Sequence, residues 1–75
     1  MSSMRETREP QIDYLTTTEV SDRYRTSKET LRWWRQINAG PPSFNIGRRV
    51  FYRQSEVDHW FAQQEAATRR GGDAA

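Results

Sequence analysis

Apolar positions are sparse in this chain and repeat with two different periods. Val20 and Tyr24 are four apart and Leu31 and Trp34 are three apart, spacings that put each pair on one helix face. Val57, Trp60 and Phe61, with Gln64, form one stripe at about 100° per residue. Between the second and third of these segments the period drops to two: Ser43 to Arg53 reads Ser-Phe-Asn-Ile-Gly-Arg-Arg-Val-Phe-Tyr-Arg, a β-hairpin pattern around a glycine. The pattern predicts three short helices with a hairpin between the last two.

Start and stop signals sharpen those elements. Thr16-x-x-Glu19 is a capping box, with Leu15 before it and Val20 inside it placed as a hydrophobic staple. The first helix is therefore expected over Thr17 to Tyr24. Arg25-Thr26-Ser27 is long enough only for a tight turn, and Ser27 can cap the next helix. The second helix should run from about Lys28 to Asn38. Asn38-Ala39-Gly40 then offers a left-handed stop, and Pro41-Pro42 forbids continuation. For the hairpin, a three-residue loop of Gly47-Arg48-Arg49 sets Ile46 opposite Val50 and Phe44 opposite Tyr52, all on one face, with Asn45 and Phe51 outward. A two-residue loop would bring Arg49 onto the apolar face, so the longer loop is preferred. Ser55-x-x-Asp58 reads as the cap of a third helix from about Glu56 to Ala66. Residues 1–13 and 67–75 are polar and of mixed charge, and are expected to be a disordered arm and tail around one domain, 14–66. The fold class is mainly α with a small β-hairpin, in the order helix–turn–helix–wing–helix.

Composition narrows what such a domain does. Seventy-five residues allow one small domain, which needs a compact, aromatic core. Three Trp, three Tyr and three Phe supply it. With no cysteine and a single histidine, His59, no metal site and no cofactor site is expected. No apolar run is long enough to span a membrane. No His/Asp/Ser constellation, phosphate-cradling glycine loop or paired acids suggests catalysis, so the chain is not expected to be an enzyme. The net charge is only +2, but its distribution is one-sided. Arg23, Arg25, Lys28, Arg32, Arg35, Arg48, Arg49 and Arg53 lie in a span whose only acid is Glu29. That segregation is the electrostatic footprint of a polyanionic partner.

The second helix concentrates the candidates. Opposite Leu31 and Trp34 it presents Glu29, Arg32, Trp33 and Gln36, with Lys28 and Arg35 on its flanks and Ser27 and Thr30 at its start. Long donors beside one flat ring suit the base edges and phosphates of duplex DNA. Arg32 suits guanine and Gln36 adenine; Glu29 can accept from cytosine or brace Arg32 or Lys28. Lys28, Arg35, Arg25 and Arg23 would meet phosphates. Arg48 and Arg49 would form a wing tracking the adjacent minor groove or its backbone, and Arg69 and Arg70 would add weak attraction.

Four stretches together, Leu15-Thr-Thr-Thr-Glu-Val, Ser27-x-x-Thr30-Leu31-Arg32-x-Trp34, Ile46-Gly47-Arg48-Arg49-Val50-x-Tyr52 and Ser55-x-Val57-Asp58-x-Trp60, resemble the MerR-like winged-helix proteins. More narrowly they resemble the small phage excisionases, or recombination directionality factors. The resemblance covers about residues 14–63. Eleven of the twelve basic residues are Arg, which fits a GC-rich genome such as that of a mycobacteriophage. The chain departs from the family at Arg25 and Thr26, where a glycine and a small aliphatic are usual, and at Trp33 and Phe51, where polar or basic residues are usual. The resemblance implies a sequence-specific DNA binder that binds and bends attachment-site DNA cooperatively and so directs a partner integrase toward excision. Its partners would be the attachment-site arm, the integrase and further copies of itself, in the nucleoid of the bacterial host's cytoplasm. The dimerisation helix and effector domain of the larger regulators are not in this chain, which implies no small-molecule effector. A small transcription regulator of the same fold and a protein-interaction adaptor stay open as alternatives.

Overall fold

The computed structural model of the chain describes residues 12–71; most of the expected arm and the last four residues of the tail lie outside the described residues. The element order is β1 (Tyr14–Thr16), α1 (Thr17–Tyr24), α2 (Lys28–Gln36), β2 (Phe44–Ile46), β3 (Arg49–Arg53) and α3 (Gln54–Thr68). The three strands form one antiparallel sheet in the order β1-β3-β2. Three helices and this small sheet make a mainly helical winged helix-turn-helix fold.

Each element except β2 contributes one buried side chain to the core: Leu15 from β1, Val20 from α1, Leu31 from α2, Tyr52 from β3 and Val57 from α3. Around them runs an aromatic chain that joins the three helices. Trp34 packs on Trp60 with centroids 5.0 Å apart, Trp60 on Phe61 at 5.2 Å, and Phe61 on Tyr24 at 4.9 Å. Such pairs add roughly 0.5–1.5 kcal/mol each beyond the area they bury, a useful increment where so few residues can be fully enclosed. Tyr52 is the largest of the buried side chains. Its hydroxyl accepts a hydrogen bond from Arg35 Nη1 at 2.8 Å, which satisfies a polar group the core would otherwise strand.

The start of α1 follows the sequence signals. Glu19 N–H donates to Thr16 Oγ1 at 3.2 Å and Thr16 N–H donates to Glu19 Oε1 at 2.9 Å. Leu15 and Val20, flanking that box, both enter the core.

Four features differ from the sequence expectations. First, Tyr14–Thr16 is a strand, paired antiparallel to β3 through Tyr14↔Arg53, Leu15↔Tyr52 and Thr16↔Phe51. Its partner lies more than thirty residues away, so no local signal marks it. Second, the hairpin uses the two-residue loop, Gly47-Arg48. The pairs are Phe44↔Phe51, Asn45↔Val50 and Ile46↔Arg49, not Ile46 with Val50 and Phe44 with Tyr52. Gly47 has φ 63° at the first loop position, which is where a type II′ turn requires a positive φ. Placing Arg49 beside Ile46 carries no burial penalty, because that face is not the core face. Val50 and Tyr52 point to the core, while Phe44, Ile46, Arg49 and Phe51 share the outer face, where Arg49 lies 5.9 Å over the Phe51 ring. Third, α3 begins at Gln54 with Arg53 as a cap that makes no side-chain bond. Gln54 N–H instead donates to the Asp13 carbonyl at 2.9 Å, so the chain leading into β1 satisfies the helix end. Asp58, read as part of a cap, accepts the Tyr24 hydroxyl. Fourth, α2 stops at Gln36 rather than Asn38. Asn38 turns left-handed with φ 60°, and Ala39 N–H folds back onto the Trp34 carbonyl at 2.7 Å.

Candidate nucleic-acid interface

The turn between α1 and α2 sets the direction of α2. Arg25 closes α1 in the left-handed region, φ 56° and ψ 42°, and its N–H donates to the Ser21 carbonyl. Thr26 N–H reaches the same carbonyl at 3.2 Å, and Thr26 Oγ1 donates to the Tyr24 carbonyl at 3.1 Å. This is a helix stop normally assigned to glycine, here carried by an exposed arginine. Ser27 then starts α2: its Oγ accepts from Thr30 N–H at 3.1 Å and donates to Thr30 Oγ1 at 2.9 Å. Ser27 and Thr30 are thereby engaged with each other in the cap.

Beyond the cap, Leu31 is buried and Trp34 half-buried on the inner side of α2. The inner side is held tightly. A Cβ on Gly40 would lie 2.9 Å from both Cβ and Cε3 of Trp34, so the returning loop clasps that indole. On the outer side two rows run along the helix at four-residue spacing. Lys28, Arg32 and Gln36 form one, and Glu29, Trp33 and Ile37 form the other; all six are exposed. The first row is made of hydrogen-bond donors. The second begins with an acid and ends in two apolar side chains.

The remaining candidates are distributed differently. Arg23 and Arg25 are exposed at the end of α1 and in the turn, and Arg48 is exposed in the hairpin loop. Arg49 is exposed on the outer sheet face. Arg35 is half-buried and turned toward Tyr52, so it ties α2 to β3. Sequence reasoning left Ile37 out of the set, although its four-residue spacing from Trp33 is a signal that finds it. It also missed the outer sheet face, where Tyr14 and Phe44 pack edge to face at 5.7 Å beside Phe51.

A cleft of about 350 Å³ opens beside the end of α2, lined by Arg35 and residues 38–43. Apart from Arg35 its lining carries no charged side chain. Among the described residues no group of three His, Cys, Asp or Glu side chains is arranged to hold a metal ion. None of the described helices is long and apolar enough to cross a membrane.

Residues 14–65 match the helix-turn-helix domain family. The chain belongs to that family. The match begins at β1 and extends through most of α3, so it takes in the three-stranded sheet as well as the two helices and their turn. No curated protein and no solved structure matches the chain. A helix-turn-helix domain is a DNA-binding module whose second helix enters the major groove. In this chain the second helix of the motif is α2.

Proposed function

We propose that this helix-turn-helix domain is a phage excisionase: it binds and bends attachment-site DNA cooperatively and directs an integrase toward excision. The observation that carries the reading is the exposed front of α2, which puts Lys28, Arg32 and Gln36 in one row on a helix-turn-helix scaffold. The four sequence stretches that resemble MerR-like excisionases support the narrower assignment. In this reading Arg32 and Gln36 meet guanine and adenine, and Glu29 meets cytosine or braces Arg32. Lys28, Arg23 and Arg25 meet phosphates, and the Arg48 and Arg49 wing follows the neighbouring minor groove.

A single module of this size covers about 600–1,000 Å² of DNA-facing surface, so one copy binds modestly. Several copies on adjacent sites raise the affinity and distribute the bend. Phe51 and its apolar neighbours on the outer sheet face are the surface for a further copy or for the integrase. The helices pack against the opposite face, which leaves Tyr14, Phe44 and Phe51 clear of the buried core.

The test is a gel-shift titration on an attachment-site arm and on random duplex of equal length, at two salt concentrations. Stepwise, cooperative shifts confined to the attachment DNA are expected. Equal, strongly salt-sensitive binding to both duplexes removes the excision assignment and leaves a general DNA binder. No shift on either duplex removes the recognition-helix argument and favours an adaptor that uses the outer sheet face.

A further inference from the structure

The two rows on the front of α2 differ in chemistry in a way that predicts which base pair they read. Lys28, Arg32 and Gln36 are donors in line, whereas Trp33 and Ile37 make the C-terminal two-thirds of the neighbouring row apolar. Trp33 is 55% exposed and Ile37 50% exposed. Among the described residues no ring stacks on Trp33 and no guanidinium lies over it. Its neighbour Trp34 is the opposite case, packed on Trp60 and clasped by Gly40. The exposure of Trp33 is therefore not a shortage of core space; the helix uses one indole inside and presents the other outside. Ile37 stays in helical register with it, because Ile37 N–H donates to the Trp33 carbonyl at 3.1 Å. Four residues apart on the helix, the two exposed side chains form an apolar ledge one row over from Gln36.

An apolar ledge on a helix in the major groove has one good counterpart there. Of the four bases only thymine carries a methyl group on its major-groove edge, beside the adenine edge that glutamine reads. The two rows then address the two members of one pair, Gln36 the adenine and the Trp33–Ile37 ledge the thymine. We infer that Trp33, backed by Ile37, is a specificity residue that reads the 5-methyl group of thymine. The inference rests on the proposal that α2 enters the major groove.

The experiment begins with the full-length chain and a random duplex library, from which preferred sites are selected. Each thymine of a preferred site is then replaced by deoxyuridine, which removes the methyl and leaves every hydrogen-bonding group in place. At one or more positions the parent chain should bind about fourfold more weakly to the uridine duplex, the fold-change that corresponds to one methyl group withdrawn from an apolar contact. In Trp33→Ala the ratio between thymine and uridine duplexes at that position should fall to about one, while binding to the duplex persists. Because the side chain is exposed, the variant should keep its helical circular dichroism and melting temperature, which are measured alongside. Preferred sites without thymine, or parent binding indifferent to uridine at every position, would overturn the inference and leave DNA binding intact. The same thymine-to-uridine ratio in Trp33→Ala as in the parent would assign the methyl contact elsewhere. Failure to select any duplex would remove the DNA-binding proposal itself, and this inference with it.

Discussion

At Arg25 the backbone and the proposed chemistry favour different residues, and two substitutions separate them. With φ 56° and ψ 42°, an L-residue there carries a steric cost of roughly 1–2 kcal/mol that glycine avoids. Glycine also gives the unfolded chain more freedom, which takes back about 0.4–1 kcal/mol. Arg25→Ala and Arg25→Gly both delete the guanidinium, including its favourable interaction with the C-terminal end of α1, so that contribution cancels between them. Only the left-handed cost and the chain entropy remain. Arg25→Gly should therefore be more stable than Arg25→Ala by about 1 kcal/mol, a separation of about 4–8 °C in melting temperature for a domain of this size. Thermal unfolding followed by circular dichroism reads this directly. Binding should respond to the missing charge alone: if Arg25 meets a phosphate, both variants weaken equally on every duplex, and the slope of log affinity against log salt falls by about 0.9. Equal melting temperatures for the two variants would refute the backbone argument. Parental affinity and salt slope in both would refute the phosphate contact.

Gly40→Ala combines a left-handed φ of 80° with a Cβ 2.9 Å from Trp34. Strain and overpacking together should cost about 2 kcal/mol or more, and an unchanged melting temperature would show that the loop does not clasp the indole. Burial, with the Asp58 carboxylate as hydrogen-bond acceptor and nearby charge, pushes the Tyr24 hydroxyl from 10.0 up to about 12. The folded chain thus holds this proton more tightly than the unfolded chain. The resulting stability is fully present below about pH 10 and is lost as pH rises through about 12. Tyr24→Phe should lack that alkaline loss in denaturant titrations run across the interval, and an identical pH dependence in both proteins would count against the Tyr24–Asp58 contact. Arg32→Ala should relax sequence preference and cost roughly 1–3 kcal/mol at the preferred site; equal weakening on all duplexes would make Arg32 a phosphate contact. Arg48→Ala should weaken all sites together and lower the salt slope by about one unit, and an unchanged slope would take the wing off the DNA.

The exposed front of α2 was more legible in the sequence than the sheet was. Glu29, Arg32, Trp33 and Gln36 were grouped on one helix face by spacing alone, with Lys28 on its flank, and all five are exposed. Arg35 shows where such reasoning runs out. Its flanking position was read as a phosphate contact, whereas its guanidinium donates to the buried hydroxyl of Tyr52, seventeen positions along the chain. The hairpin register failed on a reasonable premise, that the apolar side chains of Phe44, Ile46, Val50 and Tyr52 all share the core face. This sheet is apolar on both faces, so alternation could not say which face is inside, and the turn geometry at Gly47 set the register instead.

What the sequence determined by itself is what can be satisfied within about four residues: the Thr16–Glu19 box, the Ser27 cap, the tight turn between the helices and the outward grouping of Glu29, Arg32, Trp33 and Gln36 on α2. Each depends on side chains and backbone groups that meet as soon as the local helix forms. What only the tertiary structure decided is what needs a distant partner. The pairing of β1 with β3, the start of α3 on the Asp13 carbonyl and the inward turn of Arg35 all satisfy polar groups that local structure leaves open. The division between an inner Trp34 and an outer Trp33 belongs to both levels. Helical geometry puts neighbouring indoles about 100° apart and sets Trp34 on the side of Leu31, and the arrival of Trp60 and Gly40 covers Trp34 while Trp33 stays exposed.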